Sequence, residues 1–428
     1  MLAGRSTAGR WPPPGPQLLN LVLVTETYSP EINGVAMTLG HLVHGLVRRG
    51  HQVTVIRPRQ RAERDAASFQ VNGPIVQHLL PGLPIPGYPL LRFGLPAGGK
   101  LRRLWRRQRP DLVHLATEGP LGFSALNAAR ALGLPVTSSF HTNFHHYTHD
   151  YRSGWLFTLT AKWLRYFHNR TRRTFAPTRE LCDELAADGY ANLRVLSRGV
   201  DPAQFSRARR SDEQRLAWGA APDDPVIVHT GRLAREKNYG LIFRAFAAMR
   251  AANPRCRFVV VGDGPLRTTL AAQNPEVIFT GFVDRDTLAR HYASGDIYLH
   301  ASVTETYGNV AAEALASGLA FAGYDYAAAH ELVQPGVNGL LVPLDDEDAF
   351  LAAAVRLATD AALVARLRRQ APAAVRGRSW DHVVDQFDRD LHEAINQPHP
   401  ASCHPERSEG SSSMSAPAVI LDSSLRSE

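Results

Sequence analysis

The sequence predicts an α/β protein built from two doubly wound parallel sheets, and three observations carry that prediction. Short apolar runs alternate with helical stretches along most of the 428 residues. The runs are continuous rather than alternating, which suits strands buried on both faces, the environment of a parallel sheet. The pattern occurs twice, on either side of a polar segment at 206–224, and the length exceeds what one hydrophobic core comfortably serves.

In the first half, Leu19–Thr25, Gln52–Ile56, Leu112–Leu115 and Val136–Ser139 read as strands, with a helix over Val35–Arg49. In the second half the strands are Val226–His229, Phe258–Val261, Val277–Thr280, Ile297–His300 and Ala320–Tyr324. Helices fall over Tyr239–Arg250, Leu266–Gln273, Arg285–Ala293 and Val310–Ala316. The joint lies near Arg198-Gly-Val-Asp-Pro-Ala-Gln-Phe205, which predicts one domain over 18–198 and another over 199–376. Trp380, Val383, Val384, Phe387, Leu391 and Ile395 recur at helical spacing, so 377–397 is expected to form a helix with one apolar face. Residues 1–17 and 398–428 are expected to be disordered and without function.

Composition narrows the class. Apolar content of 44% and charge of 21% describe an ordinary soluble protein. Cys182, Cys256 and Cys403 are far apart and suit a reducing compartment rather than a disulfide framework. No apolar run approaches the roughly 20 residues that span a bilayer, and Met1–Gln17 lacks the apolar core of a secretory signal. A cytoplasmic location is therefore expected. Charge is unevenly spread: residues 1–198 carry a net +14 and residues 199–428 a net −6. The basic half is a candidate for meeting an anionic partner. Lys100-Leu-Arg-Arg-Leu-Trp-Arg-Arg-Gln-Arg109 places Leu101, Leu104 and Trp105 on one helical stripe flanked by six cations, a pattern suited to an anionic membrane surface. Lys100, Arg102, Arg103, Trp105 and Arg106 are the expected contacts, unless the stripe packs on its own sheet. Lys162–Arg173, with Trp163, Tyr166 and Phe167 interleaved, is a second such stretch. Nucleic acid is not expected as a partner, since no recognised binding module is present.

The chemistry gathers in the second half. Glu305 and Glu313 lie in Ser302-Val-Thr-Glu-Thr-Tyr-Gly-Asn-Val-Ala-Ala-Glu-Ala-Leu-Ala-Ser-Gly318, the first on a loop and the second in the following helix. A helix N-terminus offers N–H groups to phosphate, and carboxylates accept from sugar hydroxyls. Together they suggest a sugar nucleotide. Upstream, a strand ends at Thr230, Gly231 turns the chain, and Arg232 and Lys237 follow before a helix, as suits a diphosphate. Alone, that pair reads more readily as solvated cations; the glutamate loop reverses the preference. Gly262-Asp-Gly264-Pro265 lacks the third glycine of a dinucleotide fingerprint, which argues against a hydride-transfer cofactor. His141 and His145 have a spacing that could hold zinc, but no thiol lies nearby, and no metal is expected. Asp345-Asp-Glu-Asp348 reads as helix-capping carboxylates.

Gly231-Arg232, Glu236-Lys237-Asn238, Gly262-Asp263-Gly264-Pro265 and Glu305 followed by Glu313 occur in a fixed order, joined by Asn33-Gly34-Val35, Arg198-Gly-Val-Asp201 and Asn338-Gly-Leu-Leu-Val342. This set resembles the retaining glycosyltransferases of family 4, over roughly residues 18–395. The resemblance implies a GT-B fold, with two Rossmann-like domains whose parallel sheets face a central cleft. The first domain would take the acceptor and the second the nucleotide sugar, and the C-terminal helix would pack back on the first. It also implies catalytic roles for His141, Arg232, Lys237 and Glu305. Arg232 and Lys237 would neutralise the donor diphosphate, and Glu305 would hold sugar hydroxyls. Glu313 would bind ribose, the base would lie near Phe282 and Val283, and Thr306, Tyr307, Gly308 and Asn309 would offer backbone N–H groups. Gly34 and Gly231 would admit the diphosphate, and His141 would touch the donor sugar. Asn143, His145 and Tyr147 would face the acceptor. No cofactor or obligatory divalent ion is implied.

Phe140-His-Thr-Asn-Phe144 and Thr304-Glu-Thr-Tyr-Gly-Asn-Val310 look most like a bacterial branch of GDP-mannose-dependent α-mannosyltransferases. The implied function is transfer of a hexose, mannose from GDP-mannose, to a lipid or glycan hydroxyl at the cytoplasmic membrane face. The alternatives are a UDP-sugar-dependent glucosyl- or sulfoquinovosyl-diacylglycerol synthase, a GT-B epimerase, and a non-catalytic nucleotide-sugar-binding module. Tyr324-Asp-Tyr-Ala-Ala-Ala-His330 departs from the family's Gly-Gly-containing loop and bears on the sugar pocket.

Overall fold

A computed structural model of the chain describes residues 17–31, 33–63, 66–85, 88–141 and 154–397. The first half contains β1 (Asn20–Val24), β2 (Gln52–Pro58), β3 (Phe69–Asn72), β4 (Ile75–Leu80), a separate hairpin of β5 (Gly82–Ile85) and β6 (Tyr88–Gly94), then β7 (Leu112–Leu115), β8 (Val136–Ser139), β9 (Arg173–Ala176) and β10 (Leu193–Val195). Eight of these form one sheet in the order β10-β9-β8-β7-β1-β2-β4-β3. Its pairs are parallel except β3 against β4. The second half adds β11 (Val226–Thr230), β12 (Arg257–Val261), β13 (Ile278–Gly281), β14 (Ile297–His300), β15 (Ala320–Tyr324) and β16 (Gly339–Val342). These form a wholly parallel six-stranded sheet in the order β13-β12-β11-β14-β15-β16.

Strand order reverses beside β1 in one sheet and β11 in the other, and in such sheets ligands bind outside the carboxyl ends at the reversal. Both sheets are covered on both faces. Every residue of β7, β8, β11, β14 and β15 is buried, which suits strands covered on both faces.

The chain crosses between the sheets twice, and the crossings are joined by a bridge between Val200 and Ser379, with Val200 N–H donating to Arg378 O at 3.0 Å. After the second crossing, helix Trp380–Asn396 lays Val383, Val384, Phe387 and Leu391 against Leu39, Leu42, Val43 and Leu46 of helix Gly34–Arg48. Asp346 caps helix Glu347–Thr359, its carboxylate accepting from Ala349 N–H at 2.9 Å.

Two expectations for the basic half need correction. Trp105 is only 1% exposed, packed with Leu101 among Val113, Leu126 and Ala129, so it cannot touch a membrane. The apolar stripe of helix Gly98–Arg107 is consumed by its own sheet, while Lys100, Arg102, Arg103 and Arg106 remain exposed. In the second stretch Phe167 is fully buried, and Arg173 opens β9 at 2% exposure, neutralised by Asp390 at 2.6 Å.

Candidate functional site

The candidate residues sit on loops at the carboxyl ends of strands. After β11, Gly231 and Arg232 lead to a short 3-10 turn at Arg235–Lys237, and Asn238 enters helix Tyr239–Ala252 in a left-handed conformation. This loop is held down by the loop after β12. Gly262 has φ +140°, and a Cβ there would lie 2.0 Å from the Gly231 carbonyl oxygen. Only glycine permits that approach.

The glutamate loop follows β14. Gly308, at φ +89°, turns the chain into helix Asn309–Ala316, whose N-terminus has no side-chain cap. Its first N–H groups are thus available to an anion. The turn after β15 and the helix Ala327–Leu332 that follows brace this segment: Tyr326 Oη donates to Glu305 O at 2.8 Å, and Ala328 N–H donates to Tyr307 O at 2.8 Å.

Lys237 Nζ donates to Glu305 Oε1, joining the two loops across 68 residues. The side chains are 18% and 14% exposed, so the pair is only partly screened by solvent. Burial pushes the Glu305 carboxyl up, but Lys237, His300 and a hydrogen bond from Ser302 outweigh it and hold the pKa at about 2. Glu305 is therefore an acceptor-only carboxylate at any working pH. Arg232 lies on the same loop with its guanidinium half exposed and paired to Glu236 rather than to Glu305.

Glu313 has the opposite electrostatics. Burial raises its pKa to about 7, against the charge of Arg285 and a hydrogen bond from Tyr292 Oη at 3.1 Å. Tyr292 also meets Thr230 Oγ1, which contacts Tyr298 Oη at 3.1 Å, so a buried hydroxyl chain runs from β11 to Glu313. The two glutamates thus stand on opposite sides of the ordinary carboxylate value, one held as an anion and the other pushed towards neutrality.

From the first domain, His141 stands at the end of β8. Its carbonyl accepts from Thr306 Oγ1 at 3.2 Å, which brings it against the glutamate loop, and Arg198 donates to its Nδ1 at 2.8 Å. Gly34 opens helix Gly34–Arg48 behind Asn33, which caps Ala36 N–H at 2.8 Å. Nothing lies within 4 Å of a Cβ built on Gly34, so its own fold does not require glycine there. Phe282 is 66% exposed, and Val283 is partly buried beside the core. Tyr307 is buried, presenting backbone rather than ring. Asn143, His145 and Tyr147 lie outside the described residues. Among the described residues no cluster of three His, Cys, Asp or Glu could hold a metal ion.

The sequence reading missed Tyr292, Thr230 and the pairing of Arg198 with His141. Arg198 stands in a recognisable motif, yet its partner is 57 residues away. Tyr292 carries no local signal beyond its place on the inner face of helix Arg285–Ser294.

Comparison with known proteins accounts for this geometry. The family model Glycosyltransferase Family 4 matches residues 32–204, and Glycosyl transferases group 1 matches residues 224–360. A GDP-mannose-dependent alpha-mannosyltransferase of Mycobacterium tuberculosis is 34% identical over 86% of this chain and 95% of its own. A protein of the same description from Mycolicibacterium smegmatis is 32% identical over 86% of this chain and 96% of its own. Among solved structures, a sucrose-phosphate synthase from Thermosynechococcus elongatus superposes with a TM-score of 0.71 at 16% identity, covering 88% of this chain and 99% of that one. Largely parallel sheets in two domains, family-model matches in both halves and relatives of this identity over most of its length place the chain in glycosyltransferase family 4, with the GT-B fold.

Proposed function

We propose that the chain transfers mannose from GDP-mannose to a hydroxyl of a lipid or glycan acceptor, with retention of anomeric configuration. The observation that carries this reading is the Lys237–Glu305 pair beside the uncapped N-terminus of helix Asn309–Ala316. One side suits a diphosphate and the other a polyol. The two relatives described as GDP-mannose-dependent, at 34% and 32% identity, support the choice of donor.

On donor binding, the diphosphate takes Lys237, Arg232 and the helix N–H groups, and sugar hydroxyls take Glu305. Glu313 meets the ribose, and Phe282 with Val283 borders the base. His141 reaches the sugar from the opposite domain, and Gly231 and Gly34 leave room for the phosphates. Backbone at Thr306, Tyr307, Gly308 and Asn309 completes the cradle. No side chain among the described residues stands as an obvious nucleophile, so the acceptor oxygen attacks on the face that the phosphate leaves. The bond from anomeric carbon to phosphate oxygen breaks, and the acceptor proton passes to the departing diphosphate. Stabilisation of that leaving group by Lys237, Arg232 and the helix terminus is the protein's main contribution, and no divalent ion is required. Asn143, His145 and Tyr147 are proposed to face the acceptor.

The exposed Lys100, Arg102, Arg103 and Arg106 suit contact with anionic headgroups on the cytoplasmic face of a membrane. Leu159 and Tyr166, 57% and 44% exposed on helix Gly154–His168 beside Lys162 and Arg165, are a second exposed apolar and basic stretch of the same domain. No helix among the described residues is long and apolar enough to cross a membrane.

Nucleotide release from GDP-mannose, UDP-glucose and UDP-sulfoquinovose, with and without anionic vesicles and with chelator present, tests the proposal. GDP release confined to GDP-mannose, undiminished by chelator, is expected. UDP release overturns the mannose assignment, conversion of donor without acceptor points to an epimerase, and no release from any donor points to a silent binding module.

A further inference from the structure

Arg198 is 7% exposed and lies on the first crossing between the domains, two residues before the Val200–Ser379 bridge. Among the described residues it forms no ion pair with a carboxylate; its guanidinium Nη2 is directed to His141 Nδ1 at 2.8 Å. Burying a guanidinium without a counter-charge is costly, so its placement calls for a reason beyond packing. A guanidinium can only donate. His141 Nδ1 must therefore be the acceptor, which leaves the proton of a neutral imidazole on Nε2. That Nε2 is itself buried and has no partner among the described residues.

We propose that Arg198 is a positioning residue for the transfer reaction: its donation to Nδ1 locks His141 as the Nε2–H tautomer, which donates to the donor sugar. The inference rests on the reading of His141 as a donor-sugar contact and adds what makes that contact a dependable hydrogen-bond donor. His141 is gripped from both domains, since Thr306 of the glutamate loop holds its carbonyl at 3.2 Å. The tautomer is thus set where the two halves of the cleft meet.

The other groups facing the ring agree with a neutral imidazole. Burial, then Arg198, His114 on β7 and His168 on helix Gly154–His168 all hold the His141 pKa well below its ordinary value. His168 Nε2 is turned to Glu118 at 3.1 Å, and His114 is held by Thr137 and Ser139 at 3.0 and 3.1 Å, so neither competes for Nδ1. Tyr307, from the second domain, lies near Arg198.

The test uses the full chain labelled with 15N-histidine, the His141 signal being assigned by its loss in His141→Ala. The wild-type spectrum is expected to show an unprotonated Nδ1 and a protonated Nε2; a protonated Nδ1 overturns the proposal. Arg198→Met should mix the two tautomers and lower kcat about 10- to 100-fold, by analogy with the loss of a partner that fixes the tautomer of a metal-bound histidine, while donor KM moves less than about threefold. Arg198→Lys, which can still donate, should recover most of the turnover. A single Nε2–H signal in Arg198→Met, or wild-type kcat in that variant, overturns the proposal. If Arg198→Met does not fold, the wild-type spectrum and Arg198→Lys decide. Unchanged turnover in His141→Ala instead removes the underlying reading of His141, whatever its tautomer.

Discussion

Lys237→Ala removes two things at once: the cation proposed for the leaving diphosphate and the partner that keeps Glu305 ionised. Burial alone would raise the Glu305 carboxyl above its ordinary 4.5, yet its pKa stands at about 2, with Lys237 the largest opposing influence. Without the ammonium that opposition to burial weakens, and the carboxyl moves back up. Loss of one preorganised stabiliser of developing charge costs about 3–4 kcal/mol, or roughly 10²–10³ in kcat. Breaking a buried pair costs up to about 3–5 kcal/mol of stability. With Glu305 14% exposed and able to take up a proton, the loss here should fall below that ceiling. The sign with pH is fixed by the depressed carboxyl. In the wild type the pair stabilises the fold above the unfolded pKa near 4.5, and that contribution fades as pH falls through about 2. The variant should therefore lose more stability at pH 8 than at pH 3. Nucleotide release at saturating donor, with thermal unfolding at both pH values, reads these effects. Adding Glu305→Gln should cost less than the sum of the single changes, because the residues are coupled. Turnover within about threefold of wild type would remove Lys237 from the mechanism.

Other consequences follow from the same geometry. Glu313 has a folded pKa near 7, so the folded state binds the extra proton between pH 4.5 and 7 and stability falls as pH rises through that window. Glu313→Gln should flatten the melting temperature over that range, and an unchanged slope would contradict the assignment. Trp105→Ala should destabilise the fold by about 3–5 kcal/mol in chemical denaturation, whereas Arg102→Glu with Arg103→Glu should leave stability near wild type and weaken anionic vesicle binding. Gly262→Ala brings a Cβ against the Gly231 carbonyl and should cost about 1–3 kcal/mol in backbone strain, with weaker GDP binding by calorimetry.

Much of the fold could be read from residue order because its central strands are buried on both faces. β7, β11, β14 and β15 announce themselves as largely apolar runs, and β8 as a short Val-Thr-Ser-Ser stretch between Pro135 and Phe140. Strands without that environment left no such signal. β10 has three residues, none buried, and β5 and β6 contain proline in a separate hairpin. β9 begins with an arginine whose burial makes sense only once Asp390, 217 residues onward, is beside it. Periodicity found the apolar stripe at Leu101 and Trp105 but could not say whether membrane or sheet would cover it. At the site, Glu305, Gly308 and Glu313 were legible because they share one loop and helix. The contacts that set their chemistry join distant segments: Lys237 to Glu305 across 68 residues, Tyr292 to Glu313 across 21 and Arg198 to His141 across 57. The first two depend on the packing of β11, β14 and their helices within the second half, and the third on where the chain leaves the first half for it, which no local pattern encodes.

The most direct test is a crystal structure of the chain with GDP-mannose. The account predicts the diphosphate against Lys237, Arg232 and the Gly308–Asn309 backbone, with Glu305 released to the mannose hydroxyls and His141 Nε2 facing the sugar. A diphosphate bound elsewhere, with the Lys237–Glu305 pair still closed, would contradict it.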